Sequence, residues 1–112
     1  MNLRNHVQLI GNLGNAPMLS TLSTGKKMAR FSVATNEYTK TNNEVVTKTY
    51  WHNVVAWGKT AEIICEKCEK GTEVVINGKL ISRTYEDKTG TKKYITEILV
   101  NEIICRPKTI AT

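Results

Sequence analysis

The sequence predicts an all-β domain with one helix. Five strands would close into a small Greek-key barrel, with the helix between strands three and four. Three observations carry this. Four segments alternate with period two and a fifth is more continuously apolar, the marks of half-buried and more fully buried strands. One segment alone has helical spacing. The whole is 112 residues with 40% hydrophobic content, enough for one core and too little for two.

The first strand is the run in which Val7, Leu9 and Gly11 alternate with His6, Gln8 and Ile10. A turn follows over residues 11–17. In the second strand Ala29, Phe31 and Val33 alternate with Arg30, Ser32 and Ala34, after a turn at residues 23–27. Phe31 is expected in the core. The third strand covers residues 45–57, rich in β-branched and aromatic types, beyond a turn at 40–44. The helix is expected over Lys59–Lys70. Ala61, Ile64, Cys65 and Cys68 recur there at helical spacing, Gly58 precedes, and Gly71 follows as a left-handed stop. The fourth strand spans about 73–85 and the fifth about 93–104. Between them Asp87-Lys-Thr-Gly90 favours a hairpin loop. This order is that of the OB-fold; an SH3-like barrel or a small sandwich would fit the same pattern.

No run of about 18 apolar residues occurs, so no membrane span is expected. No charged-then-apolar leader opens the chain, so no secretory signal is expected either. The net charge is +6, unevenly spread: residues 1–60 hold seven Lys/Arg and two Glu, residues 61–112 nine Lys/Arg and eight acids. Such an excess suits a polyanionic partner. Cys65, Cys68 and Cys105 make an odd count, which predicts reduced thiols. The lone Cys65-x-x-Cys68 lacks the further ligands of a structural zinc site, so no metal or cofactor is expected. Catalysis is not expected. The only adjacent acids are Glu86 and Asp87, in a loop, and no serine or cysteine is placed beside His6 or His52.

The informative residues lie on the polar faces of the strands. In the second strand Arg30, Ser32, Asn36 and, if the strand continues, Tyr38 oppose the Phe31 face. In the third, Trp51, Asn53, Val55 and Trp57 oppose His52, Val54 and Ala56. In the fourth, Asn77, Lys79, Ile81, Arg83 and Tyr85 oppose Val74, Ile76 and Leu80. Three successive strands thus set aromatics beside Lys, Arg and Asn. Aromatic rings grip unpaired bases without reading sequence, because every base has a π-face. Cations pair with phosphates and release counterions. A duplex hides its base faces, so such a surface selects single strands. Tyr50 and Tyr94 have no basic neighbours in register and are left unassigned.

At these residues the chain resembles the bacterial single-stranded DNA-binding protein family, over roughly residues 2–105. The resemblance rests on four stretches in order: His6–Pro17, Ala29–Asn36, Trp51–Glu62, and Lys70-Gly71 followed by Val74–Leu80. It implies an OB-fold assembled as a homotetramer, with single-stranded DNA wrapped around it. It places stacking aromatics at Tyr38, Trp51, Trp57 and Tyr85. Tyr38 and Tyr85 stand where Trp is familiar and Trp57 where Phe is common. It places cations at Lys59, Lys70 and Arg83. Asn53 sits where Arg is frequent, and His52 near the subunit contact.

The expected organisation is one domain over 1–105 and a short basic end at 106–112, without the family's acidic tail for recruiting replication and repair proteins. The expected function is binding and protecting single-stranded DNA during replication, recombination and repair, in the bacterial cytoplasm at the nucleoid. Tyr38, Trp51, Trp57 and Tyr85 would stack; Arg30, Asn53, Lys59, Lys70, Lys79 and Arg83 would make the polar contacts. The alternative is a protein-interaction module on the same barrel, a primosome accessory or DNA-uptake paralogue that binds strands weakly.

Overall fold

The computed structural model describes residues 4–106. Six strands and one helix follow in the order β1 (Val7–Leu13), β2 (Met18–Thr21), β3 (Lys27–Thr41), β4 (Glu44–Trp57), α1 (Gly58–Lys67), β5 (Glu73–Glu86) and β6 (Lys92–Arg106). The sheet order is β1-β5-β6-β4-β3-β2, and β1 also pairs with β3. That second pairing closes the five expected strands into a barrel. At the closure Gly11 lies against the backbone of Ala34, where a Cβ would collide with the carbonyl; glycine lets the two strands meet.

One difference from expectation is β2. Its four residues are all exposed, so no apolar alternation betrays them. They are strands because β3 offers a free edge: Met18 to Thr21 pair with Arg30 to Lys27 in register. The helix also ends early. It stops at Lys67 rather than Lys70, because Cys68 turns extended while its N–H still donates to the Ile64 carbonyl at 2.8 Å. Gly71 takes its positive φ of 89° in the next turn, where its N–H donates to the Leu13 carbonyl. Lys70 therefore lies in that turn, not on the helix.

The interior forms as the alternation predicts. Phe31, Val33, Val54, Val74, Ile76 and Ile98 point inward, and α1 adds Ala61 and Ile64 to the same cluster. β6 looks continuously apolar for a local reason. The register slips between Asn77 and Gly78 of β5, so Val100 and Ile103 of β6 oppose Gly78 and Ile76 across an extra residue. The bulge swaps which parity faces inward.

Cys68 and Cys105 are joined as a disulfide, with Cα atoms 6.5 Å apart, while Cys65 is free. The expectation of three reduced thiols therefore fails for this pair. Residue spacing could not show it: the contact arises because Cys105 pairs with Val74 at the start of β5, close to the helix exit. Among the described residues no helix is long and apolar enough to cross a membrane. Residues 107–112 of the basic end lie outside the described residues.

Candidate nucleic-acid interface

The two long hairpins build one face. β3 and β4 pair from Met28↔Trp57 to Thr41↔Glu44, turning through Asn42 and Asn43 with φ of 51° and 65°, a two-residue loop suited to strand twist. Directly paired residues share a face. Ala34 thus lies beside Trp51, Ser32 beside Asn53, Arg30 beside Val55, and Met28 beside Trp57. β3 does continue far enough for Tyr38, opposite Thr47, to follow the same parity.

The parallel pairing of β4 with β6 extends the face. Val55 lies beside Leu99, which lies beside Lys79 of β5. Glu97 and Ile95 follow on β6, with Ile81 and Arg83 across from them and Tyr85 beyond. Val55, at the centre, is buried yet lies outside the core cluster; it forms the floor of the outer face. The register so brings together Tyr38, Trp51, Trp57, Tyr85, Arg30, Asn53, Lys79 and Arg83. Lys59, exposed in the first turn of α1, and Lys70, exposed in the turn beyond it, stand outside the strand register.

The rings are available. Tyr38 is 67% exposed, Trp51 63%, Tyr85 43% and Trp57 39%. Lys26 lies 5.9 Å over the Trp57 ring and the Arg83 guanidinium 6.0 Å from that of Tyr85, so cations already flank two of the rings. His52, on the inward parity, is half-buried with Nε2 2.9 Å from the Thr35 hydroxyl.

A groove of about 500 Å³ runs across the face. Met18, Met28, Arg30, Ser32, Asn53, Arg83 and Glu97 are among its walls. Glu97 is only 4% exposed, and its carboxylate accepts from Arg83 Nε at 2.8 Å and lies 3.7 Å from Arg30 Nε. A buried carboxylate is stable only when paired. Lys27, by contrast, is engaged outside the groove: its ammonium, 2.7 Å from Glu62, holds that carboxyl below the usual range by hydrogen bond and charge.

Three contributors escaped the sequence reading. Glu97 carries a signal that could have found it, a single acid inside the apolar run Ile95–Val100. Gly14 carries none: a Cβ there would collide with the far edge of the Trp51 indole and with the Ser32 hydroxyl, so the ring lies on bare backbone. Asn15 fixes the same corner, its Oδ1 accepting from the Ser32 N–H at 3.0 Å and the Ser32 hydroxyl at 2.8 Å.

Comparison with known proteins agrees with this geometry. The profile of the single-strand binding protein family matches residues 4–105. The single-stranded DNA-binding protein 1 of Chlorobaculum tepidum is 41% identical over 101 residues, 88% of this chain and 62% of that protein. The single-stranded DNA-binding protein of Bacteroides thetaiotaomicron is 39% identical over 102 residues, 88% of this chain and 63% of its own length. The chain thus spans less than two thirds of these relatives. Among solved structures, the SSB complex with ssDNA from Plasmodium falciparum superposes with a TM-score of 0.79 at 34% identity, covering 95% of this chain and 99% of that one.

Proposed function

The chain belongs to the single-strand binding protein family, and from that premise we propose that it binds and protects single-stranded DNA with little sequence preference, without catalysing a reaction. The observation that carries this reading is that Trp51 and Trp57 stand open to solvent on one face with Arg30 and Arg83. Bases stack on Tyr38, Trp51, Trp57 and Tyr85. Arg30, Lys79 and Arg83 meet phosphates, with Asn53 offering an uncharged amide. Lys59 and Lys70 extend the cationic path past the strands. Four copies assemble, with His52 close to the subunit contact, as the family resemblance implies. The setting is replication, recombination and repair in the bacterial cytoplasm and nucleoid.

Titrating the intrinsic tryptophan fluorescence with oligo(dT) tests the reading. Deep quenching at sub-micromolar protein, weakened by salt and absent with duplex, is the expected result. No quenching even at low salt would favour a protein-interaction module on the same barrel.

A further inference from the structure

We propose that Arg30 and Arg83 form one composite site for a single phosphodiester, held in shape by the buried carboxylate of Glu97. This deepens the strand-binding reading and rests on it. The two arginines come from β3 and β5, which do not pair with each other. Glu97, on β6, stands between them: Oε1 accepts from Arg83 Nε at 2.8 Å, and Oε2 pairs by charge with Arg30 Nε at 3.7 Å. Both approaches run through Nε, and among the described residues neither guanidinium spends an Nη hydrogen bond on the carboxylate. Among the described residues no other acid lies within ion-pairing distance of either guanidinium, and their side chains stay 47% and 38% exposed. All three residues line the same groove.

Charge then sets the stoichiometry. Two guanidinium charges and one carboxylate charge leave a net +1, which one phosphodiester monoanion neutralises. Its two non-bridging oxygens offer one charge-assisted acceptor to each guanidinium. A second phosphate would bring excess negative charge against a half-occupied, buried carboxylate. Glu97 is accordingly a positioning residue. It touches no DNA and fixes how many phosphates the pair accepts.

The test is the affinity of the full chain for oligo(dT), followed by anisotropy across a salt series, with thermal melts as a check on folding. Arg30→Ala and Arg83→Ala should each weaken binding about tenfold, the size of one charge-assisted contact. Each should also make the log–log salt slope shallower by about 0.7, the value of one single-strand phosphate. The combined variant carries Glu97→Gln as well, so that no buried carboxylate is orphaned. It should be no worse than either single variant. Glu97→Gln alone should steepen the slope by about 0.7, because the pair then carries two charges and admits a second phosphate. If an alanine variant melts early, Arg30→Gln and Arg83→Gln replace it. Multiplicative losses with a slope change of about 1.4 in the combined variant would show two independent contacts and overturn the composite site. An unchanged slope in Glu97→Gln would overturn the positioning role. Wild-type protein that fails to bind oligo(dT) at all would instead sink the strand-binding reading itself.

Discussion

Gly14 and Trp51 share one volume: the indole occupies the space a side chain at position 14 would need. The ring is the far end of a side chain and can move, whereas the Gly14 N–H is tied to the Ser32 carbonyl at 2.9 Å. Gly14→Ala should therefore lift the ring off its seat and leave the barrel standing. We expect oligo(dT) affinity to fall by roughly 1 kcal/mol, the low end of a stacked base, with the melting temperature nearly unchanged; wild-type affinity would show that the seat does not matter. The rings themselves were legible because strand parity is local information. Trp51, Asn53 and Trp57 fall on one side of β4 wherever its partners lie. Gly14 was not, since it acts across a pairing that no local pattern reveals; the lone acid at Glu97 marks its position in the apolar run but not its two arginine partners.

The elements divide the same way. The inward faces of β3, β4 and β5 followed from alternation, and the outer half of β4 with its turn from β-branched composition, but the extension of β3 to Thr41 did not follow from any pattern. From Asn36 to Trp51 every residue is exposed, so this arm of the β3–β4 hairpin is held by pairing and by the Asn42–Asn43 turn. β2 is invisible for the same reason. α1 was found because Ala61 and Ile64 are fully buried, and its end was misjudged because Gly71 serves the β1 contact instead. Ile64→Ala should cost about 2–5 kcal/mol of stability by opening a cavity, seen in denaturant melts, with affinity per folded molecule preserved; loss of affinity without loss of stability would contradict a purely structural role for Ile64. At the tip of the β5–β6 hairpin, hydrogen bonds from the Thr89 hydroxyl and the Thr91 and Thr89 amides hold the Asp87 carboxyl below the ordinary aspartate value. The tip is thus fully stabilised above that ordinary value and loosens only as pH falls through the lowered one. Amide protection at Thr89 and Thr91 should outlast the pH at which free aspartate protonates; loss at the ordinary value would contradict the bonding.

Taken whole, the molecule is a closed barrel whose net charge comes mostly from the first half of its sequence. The first 60 residues, which supply β1 to β4, carry +5 of the +6. The faces of β3 and β4 were each readable alone. That the face of β5 joins them depends on the parallel register Val54↔Ile98 and Val55↔Leu99, a relation only the folded chain displays. It is this register that brings Arg83 to Arg30 across Glu97 and sets the Tyr85 face of β5 on the same side as the faces of β3 and β4. If the exposed indoles grip unpaired bases, the affinity of Trp51→Ala and Trp57→Ala for oligo(dT), measured beside their melting temperatures, will show it. Each variant should lose about 1–3 kcal/mol of binding, the range known for single-strand-binding proteins of this family themselves, while melting close to wild type. Undiminished affinity in both would contradict the account.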